Sequence, residues 1–540
     1  MQLIDQHSKK IMEECKIRAR DEGLSFDDET LEYIVTNRDM LELSPKGMIP
    51  TLYDYWVNDV QIIQKKEIYK LYPHNPYETV INTRPAVSFY NDNNPDWLNI
   101  MIFYHVLGHI DFFQNNIFFK HTWDYDFAGK ALADKRLINS LRSEHGRFVD
   151  YVIEFARSID NLNGYHRISA KNREYGNTEL SPQLEFYFQV FLQDIKNKDI
   201  NYIADEIKKY NIVIEQTPDL GESLFLAEIK HKFPDFEARY KSYNEKIQKQ
   251  KKYIDVIEFI IDKSEFLNKD ENEWMKQVIN IVRETAIYFE PQIRTKTINE
   301  GWASYWHEYL FMRDKRIKGH ESDFARINAG VTSISRVGLN PYAIGLRLFQ
   351  FIEDSANKGK MQYLYQKIND IEQRKNFNKK TKKGKEAIFE VRKNFNDFTF
   401  VNTFVNQEFV DEYNLFTVGK RLNEQEQVIE YYIKSRKAED YKQMLINNLY
   451  HPPKITVDTK KTNEKNLYLV HTFEGKQLVK DYIADVMVGL EYLWGNQVQL
   501  ETTEIFLKQK AGQEAQISNR KVLYTCKNKN VIKTEIKNGQ

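Results

Sequence analysis

The stretch His105-Val-Leu-Gly-His-Ile-Asp-Phe-Phe-Gln-Asn-Asn116 places two histidines four residues apart in an apolar run. On an α-helix this spacing puts His105 and His109 on one face, one turn apart, where both rings can reach a single divalent metal ion. The alternative is structural: two polar side chains on a half-buried helix, each hydrogen-bonded to its neighbours. The polar cluster 91–96 supplies turn and N-cap residues, and we predict a helix from Trp97 to Gln114.

A second stretch rich in reactive side chains, residues 295–309, reads TKTINEGWASYWHEY. On a helix, the side chains that project to one side are those of Glu300, Ser304, His307 and Glu308. A His-x3-His zinc site often takes its third protein ligand from another helix, so Glu300 is the candidate for that ligand. The alternative is a buried polar pair in an aromatic-rich helix.

Length and composition limit the possible classes of protein. A chain of 540 residues exceeds the size at which one hydrophobic core keeps growing, so more than one domain is expected. Basic and acidic residues number 78 each, and the basic run 373–385 is short, which argues against a nucleic-acid partner. Cys15 and Cys526 lack CxxC partners, so a metal would use histidine and carboxylate ligands. No apolar run reaches the length of a membrane span, and we expect a cytoplasmic protein.

The pattern of hydrophobic residues divides the chain in two. Residues 1–397 read mainly as helices, and the loose spacing of Leu31, Tyr33, Ile34 and Leu41 predicts one or two amphipathic helices within residues 1–45. Beyond about residue 398 the pattern favours strands, with a helix at 475–493 between two of them. The predicted strands are 454–458, 467–473, 498–503, 522–526 and 531–536. We therefore predict an α+β, mainly α protein with a large helical domain, 1–397, and a smaller C-terminal α/β domain, 398–540.

The chain resembles the stage V sporulation protein R (SpoVR) family of bacteria, through motifs spread along most of its length. The motifs that carry the resemblance are ETVINTRP (78–85), HVLGHIDFFQNN (105–116), IVRETAIYFEPQ (281–292), TKTINEGWASYWHE (295–308), LNPYAIG (339–345), IFEVR (388–392), NLYLVHTFEG (466–475) and LWG (493–495). The resemblance implies a role in sporulation, in particular in forming the spore cortex, or in peptidoglycan assembly of the cell envelope. A protein, a peptide or a peptidoglycan-related molecule would be the partner.

The HxxGH and NEGWA motifs together are also similar to the layout of gluzincin metallopeptidases, in which HExxH supplies two zinc ligands and a later glutamate the third. This likeness implies a zincin-like helical domain and a divalent metal, with zinc preferred, bound by His105, His109 and Glu300. The chain departs from the pattern at one position. The glutamate after the first histidine is the general base in HExxH, and here that position is Val106, which cannot accept a proton.

Three interpretations of the candidate site fit the sequence. Another group, Glu308, Asp111 or His307, could handle protons in a metal-dependent amide or peptide hydrolase. The metal could instead be structural, or could bind a ligand without turnover. Finally, the site could hold no metal. A regulatory or scaffold protein that keeps a metal or ligand pocket therefore competes with the enzyme.

Overall fold

The computed structural model describes residues 2–37, 78–123, 126–163, 181–196, 220–249, 255–334, 340–362, 370–423, 428–449, 452–473, 476–508 and 516–536, with a few further residues between some of these ranges. The described chain forms two compact units. One comprises residues 1–166 and 255–540, and the other residues 167–254. The predicted α+β, mainly helical class is confirmed.

The described helices are α1 (Gln6–Asp21), α2 (Asp96–Asn115), α3 (Phe127–His145), α4 (Phe148–Ser158), α5 (Pro182–Phe186), α6 (Gly221–Lys232), α7 (Phe236–Lys249), α8 (Val256–Lys263), α9 (Glu273–Arg294), α10 (Lys296–Phe311), α11 (Glu321–Val331), α12 (Pro341–Asn357), α13 (Ile371–Asn376), α14 (Gly384–Asn394), α15 (Asp397–Phe404), α16 (Gln407–Glu412), α17 (Ala438–Asn448) and α18 (Lys480–Trp494). Helices α5–α7 belong to the unit 167–254, where a π-helical segment, Tyr187–Ile195, continues α5. In the part of the chain that the structure describes, no helix has the length and apolar character needed to cross a bilayer.

A four-stranded sheet near the amino terminus packs on the helices. Its strands are β1 (Gln2–Leu3), β2 (Thr30–Val35), β3 (Glu78–Ile81) and β4 (Ala86–Asn91), in the order β1-β2-β4-β3. The helical prediction for residues 1–45 is therefore wrong at 30–35, and Leu41 lies outside the described residues. Strand β2 forms because it pairs in parallel with β4, more than 50 residues away along the chain. A periodicity argument cannot detect such a distant partner.

The main hydrophobic core lies between α2, α10, α12 and α14, and the sheet β1–β4 packs against it. Buried residues of α15, α16 and α17 join the same core, for example Phe400, Phe409 and Leu445. Helix α15 spans the predicted boundary at 397/398, and α16 and α17 follow it in sequence. That boundary stays a prediction.

The carboxyl-terminal region contains a five-stranded sheet, as predicted. Its strands are β7 (Lys454–Val457), β8 (Asn466–Thr472), β9 (Gln497–Lys508), β10 (Gln516–Lys527) and β11 (Asn530–Glu535), in the order β11-β10-β9-β8-β7. Helix α18 connects β8 to β9, which are parallel, and the remaining pairs are antiparallel. A separate hairpin, β5 (Thr417–Asn423) and β6 (Val428–Ser435), precedes this sheet and did not appear among the predicted strands.

Glu504 is a buried carboxylate that ties α18 to the carboxyl-terminal sheet. Its Oε2 accepts hydrogen bonds from Lys533 Nζ at 2.7 Å and Lys480 Nζ at 3.0 Å, and its Oε1 accepts one from the Tyr524 hydroxyl. Burial raises the pKa of Glu504, but these hydrogen bonds outweigh the effect of burial and hold the pKa at about 2. The pKa of Glu504 is thus lower in the folded protein than in the unfolded chain. The stability that the Glu504 carboxylate contributes is therefore present above about pH 4.5 and is lost as the pH falls toward 2.

We expect Glu504→Gln to lower the free energy of unfolding by about 1 kcal/mol at neutral pH, with a smaller difference near pH 3. Urea denaturation of the unaltered protein and the variant at the two pH values measures this difference. Glu535→Gln, which removes an exposed partner of Arg520 on the same sheet, is the matched control and should change stability little. A loss from Glu504→Gln that does not shrink at low pH would contradict the assignment.

Candidate metal centre

Helix α2, which carries both histidines, runs through the centre of the main core. Every residue from Leu98 to Phe113 is buried. A helix that is apolar on all sides is typical of a core position, so a polar side chain on it needs a specific partner. The observed helix extends one residue beyond the predicted Trp97–Gln114 at each end.

Helix α10 packs on α2 and α12 at positions where the backbones nearly touch. A Cβ atom built on Gly108 of α2 would lie 2.8 Å from the Cα of Ala303. On the other side of α10, a Cβ built on Gly301 would lie 2.3 Å from the carbonyl carbon of Gly345 in α12. Only glycine allows these approaches, which bring the Glu300 face of α10 beside the histidine face of α2.

The start of α10 is capped by a carboxylate from a distant part of the chain. Asp397 Oδ2 accepts from the Thr297 backbone N–H and Oδ1 from that of Ile298, both at 2.8 Å. Burial raises the pKa of Asp397 to about 7, although these two hydrogen bonds act to lower it. The cap fixes the helical turn that leads into Glu300.

We expect Asp397→Ala to lower the free energy of unfolding by about 2–3 kcal/mol, because it leaves two buried backbone N–H groups without an acceptor. Thermal unfolding followed by tryptophan fluorescence measures the loss. Asp370→Ala removes an exposed cap, whose Oδ1 accepts from Gln373 N at 2.7 Å in α13, and should cost about 1 kcal/mol or less. Equal effects of the two substitutions would show that Asp397 is an ordinary cap.

The possible ligand atoms of the two histidines and the glutamate all lie within 4.8 Å of one another. The Nε2 atoms of His105 and His109 lie 3.1 Å apart. Glu300 Oε2 lies 3.7 Å from the first and 3.5 Å from the second. A tetrahedral zinc ion, with its nitrogen ligands at about 2.0–2.1 Å, would hold two such nitrogens roughly 3.3 Å apart. The separation of the rings therefore fits a shared metal ion.

The protonation of His105 follows from a chain of hydrogen bonds that begins at Glu308. The amide nitrogen of Asn328 donates to Glu308 Oε2 at 3.0 Å, so the amide oxygen faces His307 Nε2, also at 3.0 Å. Burial and the nearby His105 lower the pKa of His307 to about 3, so its ring is neutral and carries its proton on Nε2. His307 Nδ1 then accepts from His105 Nδ1, 2.9 Å away. The Nε2 atom of His105 consequently presents a lone pair to the cluster.

A separate partner favours the same tautomer in His109. Its Nδ1 lies 3.0 Å from the amide oxygen of Asn299, which accepts the ring proton. In the neutral ring, Nε2 then also presents a lone pair. Hydrogen bonds of this kind, from the outer ring nitrogen to an oxygen acceptor, are typical of metal-ligating histidines. In sum, two nitrogen lone pairs and one carboxylate oxygen point at a common space.

Aromatic rings wall the site, and the carboxylate side is its more open side. The ring of Tyr342 stacks on that of His105 with centroids 6.2 Å apart, and Phe113 stacks on His109 at 6.1 Å. The side chain of Glu300 is 17% exposed, whereas those of His105 and His109 are 7% and 10% exposed. A small molecule would therefore approach from the Glu300 side.

The three residues predicted to handle protons lie outside this cluster. His307 and Glu308 belong to the hydrogen-bonded chain described above, in which Asn328 lies between them. Asp111 contacts a different set of partners: its Oδ2 accepts from Trp302 Nε1 at 2.8 Å and faces Arg392 Nε at 3.4 Å, and its Oδ1 accepts from the Ser25 backbone at 2.7 Å. Burial raises the pKa of Asp111 to about 6, with Arg392 opposing the rise. The contacts of Asp111 connect α2, α10 and α14.

Sequence reasoning missed three residues that support the site. Asn299 directly precedes Glu300 in the NEGWA motif, and its place beside the candidate ligand was the available signal. Asn328 and Asp397 lie on other helices and follow no recognisable spacing. Only the tertiary structure brings these two residues close to the site.

Comparisons with known proteins place the chain in a family. The family described as "SpoVR like protein" matches residues 3–452. An Escherichia coli (strain K12) protein described as "Uncharacterized protein YcgB" is 24% identical over 336 residues, which cover 59% of this chain and 58% of that protein. The chain thus matches somewhat more than half the length of that relative. No solved structure matches it. Because the family match spans most of the chain and includes both helices of the candidate centre, the chain belongs to the SpoVR family.

Proposed function

We propose that His105, His109 and Glu300 bind a divalent metal ion, with zinc preferred, in a helical domain whose ligand layout is zincin-like. The observation that carries the proposal is the convergence of three acceptors, two nitrogen lone pairs 3.1 Å apart and a carboxylate oxygen beside them. Facing lone pairs repel unless a cation or a shared proton lies between them. A metal ion could bind all three at once, and the outer ring nitrogens are already held by protein partners.

We further propose that the chain acts as an amide or peptide hydrolase in sporulation, through spore cortex formation, or in assembly of the envelope peptidoglycan. When bound, the metal would supply Lewis-acid chemistry toward a carbonyl group. His307 and Asn299 would keep the two histidines oriented. Glu308 is the preferred proton carrier, although Asn328 separates it from His307 and an amide does not readily pass protons on. Glu308 would therefore have to contact the substrate directly.

A second function, a regulatory or scaffold protein with a retained metal site, is favoured by a different observation. Val106 stands where a general base would be, and Asp111 is engaged by Trp302, Arg392 and the Ser25 backbone. A metal held by such a site could organise α2 and α10 or bind a partner's carboxylate without turnover. The two functions share the metal and differ in proton transfer.

Elemental analysis of protein purified without chelator tests the shared step. We expect stoichiometric zinc or another divalent metal in the unaltered protein. If the protein is metal-free and added zinc does not change its stability, the metal centre is wrong. A proton shared by the two histidines would then explain their close approach.

Hydrolysis then separates the two functions. The assay compares metal-loaded and metal-depleted protein on amide substrates, including stem peptides of peptidoglycan. Metal-dependent turnover that Glu308→Gln abolishes, with metal content unchanged, would support the enzyme. Retention of biological function by Glu308→Gln in cells, together with absence of turnover, would favour the scaffold.

A further inference from the structure

A second candidate site lies in the carboxyl-terminal region, independent of the metal centre. A cavity of about 290 Å³ opens between the sheet β7–β9 and helix α18. Its volume is at the lower end of the range for small-molecule sites. The walls are mainly apolar, and the apolar residues that line them include Leu469, Leu500, Ile455, Ile483, Met487 and Leu490.

The rim of the cavity exposes large apolar side chains to solvent. Tyr482 is 67% exposed and Val479 is 57% exposed, and both line the opening. Exposed apolar residues scattered singly need no explanation, but these two continue an apolar cavity to the surface. An apolar ligand entering the cavity would therefore contact them on its way in and remain in contact with them once bound.

Two polar side chains of the wall are engaged by the protein itself. His471 Nδ1 bonds to the Thr502 hydroxyl at 2.8 Å, and Gln477 Oε1 accepts from the Ile505 backbone at 3.1 Å. Lys476 differs from them, because its Nζ donates to the Leu449 carbonyl oxygen at 3.3 Å and, among the described residues, forms no ion pair. Burial lowers the pKa of Lys476. Among the described residues, the contacts of this half-buried ammonium group provide a carbonyl oxygen and no carboxylate, so its charge is incompletely compensated and an anion would balance it.

We propose that this cavity binds a small amphipathic carboxylate of the fatty-acid type, with its tail between α18 and the sheet and its carboxylate on Lys476. The apolar walls match an unbranched hydrocarbon tail. Among the described lining residues Lys476 is the one ammonium group, and it matches one negative charge. The proposal does not depend on the metal centre, since none of the lining residues belongs to it.

Calorimetric titration with sodium decanoate, below its micelle concentration, tests the proposal. Decanol serves as the neutral probe of the same chain length. We expect one decanoate per chain for the unaltered protein. Lys476→Gln should weaken decanoate binding at least about tenfold and leave decanol binding unchanged, because a charge-assisted bond is lost while the walls stay the same. Lys465→Gln, at an exposed lysine next to β8, is the matched control and should change neither.

A second variant tests the position of the tail. Ile455→Trp on the edge strand β7 fills the cavity and should abolish the binding of both probes, with circular dichroism confirming that the sheet is retained. Several outcomes would overturn the proposal: no uptake of decanoate by the unaltered protein, equal affinity for decanoate in Lys476→Gln, or full binding by a folded Ile455→Trp. Tighter binding of a hydrophobic tripeptide than of decanoate would also overturn it and would assign the cavity to peptide.

Discussion

Replacing Gly301 with alanine is expected to lower the free energy of unfolding by about 3–5 kcal/mol. The added methyl group would lie 2.3 Å from the carbonyl carbon of Gly345 and 2.4 Å from its Cα. Both of these are backbone atoms in the second turn of α12, and they cannot move aside without separating two helices of the main core. The loss should appear as a lower urea midpoint in tryptophan fluorescence, because Trp302 and Trp306 lie on the same helix.

Gly330 in α11 offers the matched control for this substitution. It is also a helical glycine, but a Cβ atom built there meets nothing within 4 Å. Gly330→Ala should therefore be neutral or should stabilise by up to about 1 kcal/mol through helix propensity. If Gly301→Ala cost no more than Gly330→Ala, the close packing of α10 on α12 would be wrong.

Replacing His109 with alanine is expected to weaken zinc binding by well over 100-fold. The substitution removes one of three protein ligands, whereas loss of a supporting hydrogen bond at a metal site typically costs about 10–100-fold. Asn299→Ala and His307→Ala should fall in that smaller range, since they release the rings of His109 and His105 without deleting a ligand. Competition with a chromophoric chelator measures all three affinities on one scale.

The control for unspecific binding is His231→Ala, at an exposed histidine of the unit 167–254. It should bind zinc as the unaltered protein does. Equal affinities in His109→Ala and His231→Ala would contradict the assignment of the ligands. An effect of Asn299→Ala as large as that of His109→Ala would instead show that the asparagine is itself a ligand.

The features that sequence predicted correctly are those with a local signal. The four-residue spacing of His105 and His109 determines a helical face, and the seven-residue offset from Glu300 to His307 places both on one side of α10. Strand β2 was mispredicted because its partner β4 lies far away in sequence. The cap from Asp397 and the amide of Asn328 depend in the same way on contacts between distant segments. Asp111 was predicted as a proton carrier because its side chain is of a suitable type. Its position on α2 instead directs that side chain to Trp302 and Arg392.

The two constraints on α10 bear on which ions the centre can accept. Glu300 follows a turn held by Asp397 and precedes a glycine pressed against α12, so its backbone cannot adjust to a larger or smaller ion. Zinc bonds to nitrogen and oxygen ligands at about 2.0–2.2 Å, and calcium to oxygens at about 2.3–2.6 Å. We therefore expect the centre to select metal ions by their ionic radius and coordination number. Its affinities for the first-row divalent metals should then depart from the order that ligand chemistry alone would give.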